Sequence, residues 1–391
     1  MLTNIPDVEE AVVLERLAAL IEDLEQAPRS GPEVWGATYD AGLSRVSWPV
    51  GAGGLGVRPE LQAIVDAELA RIGVPDNYRA QPGGIGVVAP ALAKFGSDEQ
   101  RARYLRKLFT CEELWCQLFS EPDAGSDLAS LRTRAVRDGD SWIVNGHKVW
   151  TTMGHIAKRG LLLARTSTDA SRHRGITAFV LDMEAPGVEV RPLRQLTGEA
   201  EFNETFFTDA VIPDADRIGE VDEGWRVAIG TLMEERNAVN HVLDHYVPAI
   251  AQAIGLWRSL PPERRRPVLR DRLVDLYIRW EANEYMRRRD VAQQEAGIPG
   301  PQGSLVKFSS GDLNQAVYEL CVDLIGADGM LYGSYEMTRP ASWQEFNRIP
   351  DGDFTRTFLR SRAATIEGGT NEVQRNTIAE RVLGLPRDPR P

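Results

Sequence analysis

The spacing of apolar residues changes period twice along this chain. Up to about residue 115 it fits helices, from about 116 to 218 it alternates, and from Glu223 onward it fits helices again. Alternation buries one face of a strand, whereas a 3.6-residue recurrence buries one stripe of a helix. The expected class is therefore α+β, with a compact antiparallel β-domain between two helical regions. The divisions fall at 1–115, 116–220 and 221–391, and 391 residues suffice for two or three domains.

Locally, residues 7–26 read as an amphipathic helix that Asp7 caps, with Leu14, Leu17 and Ile21 at helical spacing. Further helices are expected over 59–73, 84–95 and 97–110, the last capped by Ser97. The loop-rich stretch before residue 59 holds Gly51, Gly53 and Gly56, which spell G-x-G-x-x-G. A dinucleotide fingerprint must follow a buried strand; Pro49 and Ser47 interrupt whatever precedes this one, so it is set aside. Strands are expected over 142–145, 148–152, 160–166, 175–182, 188–196 and 202–212. The first two read as a hairpin around Asn145-Gly146. That hairpin would deliver Trp150 and Thr152 on one side of a strand, a flat aromatic face beside a hydroxyl, which suits a planar heteroaromatic cofactor. Helices return over 223–258, 267–296, 302–326 and 355–383, with 327–354 as a long loop. The triplets Arg264–Arg266 and Arg287–Arg289 read as solvated helix faces.

Composition narrows the function. No apolar run approaches the roughly 18 residues that span a bilayer, so no transmembrane helix is expected. The first ten residues are acidic and lack a signal-peptide pattern, and three cysteines make no even framework; both fit a cytoplasmic protein. A net charge of −12 argues against a nucleic-acid partner. His241 and His245 are one helical turn apart, but no third ligand is evident, so no metal is expected.

Between the first helical region and the sheet lies Phe119-Ser120-Glu121-Pro122-Asp123-Ala124-Gly125-Ser126-Asp127, followed by Asn145, Gly146, Lys148, Trp150 and Thr152. This arrangement closely resembles the acyl-CoA dehydrogenase family, and the α–β–α order extends the resemblance over nearly the whole chain. The resemblance implies a helical N-terminal domain, a central antiparallel β-barrel-like domain and a C-terminal four-helix bundle. It implies FAD-dependent α,β-desaturation of an acyl-CoA, with electrons passed to an electron-transfer flavoprotein, in a homo- or hetero-oligomer, dimer or tetramer. Phe119, Ser120, Gly125 and Ser126 would meet the flavin and nearby substrate, and Trp150 and Thr152 would flank the ring. Gly326, in Leu324–Gly329, resembles the turn that receives the cofactor's adenine end. Thr370 and Glu372 match a stretch that also touches FAD. The family's Arg-x-x-Phe-Gly segment is not recognisable, which leaves the pyrophosphate contact open.

The C-terminal stretch Thr365-Ile366-Glu367-Gly368-Gly369-Thr370-Asn371 resembles the family's end, which reads Tyr-Glu-Gly-Thr and whose Glu removes the α-proton. Gly368 stands where that Glu belongs. Glu367 is one residue early, about 3.8 Å along the backbone. Some family members carry the base on the helix after the β-domain, in a Glu-Arg pair. Here Trp225, Ala228, Ile229, Leu232 and Val239 form an apolar stripe with Glu235 on its border and Arg236 within it. A carboxylate at such a border is expected to have a raised pKa. Glu235, Glu367 or neither remains open as the base, and Arg236 would meet the thioester and CoA arm. Two alternatives to the dehydrogenase stay open: a silent subunit that completes a partner's FAD site, or an oxygen-using oxidase or monooxygenase of the same family.

Overall fold

The computed structural model describes residues 7–26, 29–168, 172–245, 248–295, 300–346 and 352–387, with side chains left undescribed over 236–245 and 294–295. The chain forms two compact units. One comprises residues up to Leu193, Glu201–Glu234 and Pro340–Asn347; the other comprises Arg194–Ala200, Glu235–Arg339 and the chain from Arg348.

The first unit opens with α1 (Val8–Gln26), whose Glu10 amide donates to the Asp7 carboxylate at 3.0 Å. The next helix, α2 (Gly31–Asp40), falls where a loop is expected. Its Gly31-Pro32 start reads as a breaker, yet proline is at home in a first turn. Ser30 and Glu33 form a capping box there, with the Ser30 amide donating to Glu33 at 2.8 Å. The helices α3 (Gln62–Arg71), α4 (Asn77–Ala80), α5 (Ala89–Phe95) and α6 (Asp98–Phe109) follow. A π-helical turn, Gly84–Val88, leads into α5. Ser97 caps α6 as expected, accepting from the Gln100 amide at 3.2 Å. Gly51–Gly56 lies in turns, with no strand before it among the described residues.

The sheet contains β1 (Trp115–Leu118), β2 (Arg134–Asp138), β3 (Ser141–Lys148), β4 (Arg159–Arg165), β5 (Ile176–Asp182), β6 (Val188–Pro192), β7 (Asn203–Pro213) and β8 (Arg217–Ile218). Its order is β6-β7-β3-β2-β4-β5-β8, with β1 joined to β4 in parallel. The sheet does not close, so the barrel-like expectation is corrected to an open, mainly antiparallel sheet. Strands β4 and β5 are buried along almost their whole length. One face holds Leu162, Ala164, Phe179 and Leu181, packed with Trp142 and Ile212.

The hairpin is also corrected. Asn145-Gly146 sits inside β3, and the two-residue turn lies earlier, at Gly139-Asp140, where Asp138 pairs with Ser141. Glycine at the first central position, here Gly139 at φ 58°, is the other two-residue hairpin signal beside Asn-Gly. Asn145 faces two residues of β7, Thr208 and Asp209, where the register shifts. It exchanges two hydrogen bonds with Asp209 at 2.9 Å each, satisfying the groups that the β-bulge frees. Gly146 is needed for close approach: a Cβ there would lie 2.4 Å from Thr133 Oγ1 and 2.7 Å from Thr133 Cα.

Next comes α7 (Gly224–His245), which leaves the sheet at a Gly224 packed on the Thr177–Ala178 backbone. In the second unit, α8 (Ala249–Ser259), α9 (Pro267–Glu295) and α10 (Gln302–Ile325) share a core of Leu269, Leu273, Leu276, Val317 and Leu320. Back in the first unit is the short α11 (Trp343–Phe346); α12 (Phe354–Ser361) and α13 (Asn371–Arg381) complete the second. The expected continuous helix over 355–383 is broken at Gly368-Gly369, both at positive φ. Arg264 and Arg265 are exposed, as expected, and their guanidinium groups also serve the chain itself. Arg264 donates to Leu324 O at 3.0 Å, and Arg265 to Leu260 O and Arg258 O at 2.8 and 2.7 Å, so they cap helix C-termini.

Candidate active site

A tight turn follows β1. Glu121 and Ala124 exchange backbone hydrogen bonds at 3.1 and 3.0 Å. The Glu121 carboxylate points inward and accepts from the Arg132 and Thr133 amides at 2.6 and 2.9 Å and from Lys148 Nζ at 2.8 Å. Lys148 has no exposed surface, and it also donates to Phe119 O at 2.9 Å. Burial pushes its pKa down to about 8, with Glu121 working against that shift. Burial pushes Glu121 the other way, but the Lys148 ammonium and the hydrogen bonds prevail and hold it below the usual carboxylate range. This pair ties the Ser120–Asp127 turn to the end of β3, and the Val149 amide donates to Ser120 O at 2.9 Å. Sequence reasoning quoted Glu121 and Lys148 without assigning them this role. A lysine between strand residues that face the core is the signal for it, because a buried cation needs a partner.

Beyond Lys148 the ladder bulges again. Lys148 pairs with Thr205 and Thr151 exchanges backbone hydrogen bonds with Asn203 at 3.0 Å, so Val149 and Trp150 face the single residue Glu204. Trp150 is the left-handed residue, at φ 62°. The expected strand over 148–152 therefore ends at Lys148, because the bulge puts Trp150 outside the extended region. Thr151 and Met153 are buried, whereas Thr152 is half-buried and the Trp150 indole is 57% exposed, edge-on to Phe202 at 5.7 Å. Phe119 is buried, Ser120 is half-buried, and Gly125 and Ser126 are exposed, with open space where a Gly125 Cβ would stand. An accessible indole, three hydroxyls (Ser120, Ser126 and Thr152) and a side-chain-free glycine form a donor set that fits a flat, polar heteroaromatic ring.

The buried face of α7 differs from the expected stripe. Val227, Ala228 and Thr231 are buried, whereas Ile229 is 42% exposed. Thr231 reads as polar, but its hydroxyl donates to Val227 O at 2.8 Å and so can be buried. Glu235 continues this line, within about 20° of Ala228 around the helix axis, and is half-buried. The side chains of Arg236, His241 and His245 lie outside the described residues. Glu367 is 48% exposed, and its carboxylate accepts from Arg360 at 3.0 Å. After it, Gly368 and Gly369 turn the chain into α13, which Thr370 caps by accepting from the Val373 amide at 3.2 Å. Glu372 is exposed in the first turn of α13. Gly326, at φ 73°, ends α10 beside Arg264.

Three family profiles match in succession: acyl-CoA dehydrogenase, N-terminal domain over residues 5–112, middle domain over 116–210 and C-terminal domain over 222–383. The chain is 38% identical to acyl-CoA dehydrogenase IpdE1 of Mycobacterium tuberculosis, over 89% of this chain and 86% of that one. It is 37% identical to acyl-CoA dehydrogenase FadE34 of the same organism, over 97% of this chain but 49% of the longer relative. Its fold is similar to a chain of the ChsE4-ChsE5 complex from Mycobacterium tuberculosis, with a TM-score of 0.69, 25% identity, and coverage of 99% and 100%.

Proposed function

Because this chain belongs to the acyl-CoA dehydrogenase family, we propose that it forms the α,β double bond of an acyl-CoA thioester with FAD as its flavin. Its relatives are oxidoreductases acting on CH–CH groups, and the family is flavin-dependent. Phe119, Ser120, Gly125, Ser126, Trp150 and Thr152 would hold the ring, with Gly326, Thr370 and Glu372 serving the rest of the cofactor. When bound, the flavin supplies a two-electron acceptor for the hydrogen leaving the β-carbon. The observation that carries this reading is the exposed Trp150 indole, held at the end of a ladder that the buried Glu121–Lys148 pair fastens to the Ser120–Asp127 turn.

The α-hydrogen of a thioester is weakly acidic, so a carboxylate must accept the proton as the C–H electron pair moves into the double bond. Glu235 suits this role because it is half-buried and extends the buried line of α7. Glu367 is the second candidate; it is more exposed. Arg236 would meet the thioester and CoA arm. A purified, flavin-loaded protein mixed anaerobically with a panel of acyl-CoA esters tests the assignment. Glu235→Gln should slow bleaching of the yellow colour by about 10²–10⁴-fold, and Glu367→Gln should leave it within a few-fold. An unchanged rate in the first variant overturns the assignment.

An electron-transfer flavoprotein is the proposed acceptor; rapid reoxidation by air alone would replace it with oxygen. The free cysteines Cys111, Cys116 and Cys321 suit the reducing cytoplasm. A relative about twice as long, and a two-chain complex among the similar structures, support assembly with a second family chain. In that assembly the isolated chain would be colourless and would gain flavin only with its partner.

A further inference from the structure

Helix α9 carries two apolar stripes where a bundle helix needs one. Leu269, Leu273 and Leu276 turn into the core shared with α8 and α10, and Trp280 packs against it. On the opposite side Val274 and Tyr277 are exposed, and Ile278 and Tyr285 are 61% and 66% exposed. Both lines follow the same alternation of three- and four-residue steps, the inner one through 269, 273, 276 and 280 and the outer one through 271, 274, 278, 281, 285 and 288. The outer line keeps within about 100° of the helix circumference and runs about 26 Å along the axis. An apolar seam of this spacing is what a helix presents to another helix, and a helix apolar on two sides is one that is covered on both.

The order of residues along the outer seam matches its own reverse. If a second copy runs antiparallel about a point between Arg279 and Trp280, Asp271 meets Arg288, Val274 meets Tyr285 and Ile278 meets Glu281, each pair occurring twice by symmetry. Parallel pairing would instead set Asp271 and Arg288 each against its own copy. Arg288 donates to Glu284 at 3.0 Å and lies over the Tyr285 ring at 5.7 Å, and its guanidinium has further donors for a second carboxylate. Glu281, inside the apolar stretch, accepts from the Tyr277 hydroxyl.

We propose that the outer seam of α9 docks onto the same seam of a second copy of this chain, antiparallel and in the register that pairs Asp271 with Arg288. Neither the flavin reading nor the choice of base enters into it. Sedimentation velocity of the full-length protein, with any partner that co-purifies, should show a particle holding two copies of this chain. Ile278→Asp sets a carboxylate against Glu281 of the other copy on both sides of the axis, and should weaken the association by about 100-fold. Asp271→Arg and Arg288→Asp should each weaken it by about tenfold, because each brings like charges together, and the double reversal should return it to within a few-fold of wild type. The register is read by Val274→Cys/Tyr285→Cys. Oxidised glutathione should link two copies of this double variant, whereas in either single variant the thiols stand about 16 Å apart along the seam and should stay unlinked. A particle with a single copy of this chain, alone or with a different chain, overturns the proposal. So does a double variant that does not link, a single variant that links as readily, or a double reversal no better than the single ones.

Discussion

Replacing Glu121 by glutamine strips the charge from the partner of a lysine that has no contact with water. With the carboxylate present, the Lys148 pKa is about 8 against an ordinary 10.5. At 1.36 kcal/mol per unit, that leaves a burial cost of about 3 kcal/mol uncompensated. Removing the carboxylate raises the cost to a ceiling, since at pH 7 the ammonium can shed its proton for about 5 kcal/mol. Lys148 therefore contributes a loss of up to about 2 kcal/mol, and the Arg132 and Thr133 amides, deprived of a charged acceptor, about 1 kcal/mol each. The sum of about 3–4 kcal/mol falls within the usual range for breaking a buried ion pair. Hydrogen exchange at the Val149 amide reads it locally, because its own acceptor, Ser120 O, is untouched. Exchange should accelerate by roughly 100- to 1000-fold. The double variant Glu121→Gln/Lys148→Met should recover most of this, since a well-packed apolar replacement of a buried pair is often neutral. The sign with pH is also fixed. Because the native pKa lies below the unfolded one, the unfolded chain binds the extra proton between about pH 8 and 10.5, and stability linked to Lys148 rises with pH there. In the variant that rise begins at lower pH, so the gap from wild type should narrow between pH 7 and 9. A Val149 exchange rate within about threefold of wild type at pH 7 would refute the claim that the pair fastens the turn.

Three further outcomes follow from the same structure. Gly146→Ala should lower the thermal midpoint, through about 1–3 kcal/mol of overpacking against the Thr133 backbone; an unchanged midpoint would mean that the bulge relaxes freely. Ser97→Ala should cost about 1 kcal/mol by uncapping α6, read as a lower urea midpoint, with FAD affinity unchanged. On the acid side, the lowered pKa of Glu121 contributes stability that is complete above the ordinary carboxylate range and is lost as pH falls through it. Acid unfolding of the Glu121→Gln variant should therefore be less steep than that of wild type.

The period changes alone placed the sheet between helices, because alternation survives wherever one face is buried. What escaped was set by contacts distant in sequence. Strand β1 is short and its partner β4 begins only at Arg159, so nothing local marks it; β2 does have a local mark, the Gly139-Asp140 turn into β3, which the Asn145-Gly146 signal overshadowed. Helix α2 hid behind Gly31-Pro32, since a breaker and a good first turn can be spelled alike. Asn145-Gly146 carried a strong turn signal, but its asparagine is spent on Asp209 across the sheet and its glycine on the proximity of Thr133. Among the residues proposed for the site, Trp150 was singled out by its chemistry. The bulge that aims it was not, because a surplus residue shows only when both strands are laid side by side. Glu235 was singled out through helical spacing, although the buried line it extends runs through Gly224 and Thr231, residues that a hydropathy count passes over.

The paired kinks at Asp209 and Trp150 have a consequence for the evolution of this sheet. Each strand carries one surplus residue, so the two offsets cancel and both ends of the β3–β7 ladder stay in phase. Losing either residue alone would rotate everything beyond it by half a turn, exposing the oily side of the strand and hiding its polar side. Losing both would restore the phase but discard the indole. The fold can therefore shed this device only by a coordinated double deletion, and a lineage that had done so would keep a sound sheet with nothing flat for a ring to lean on.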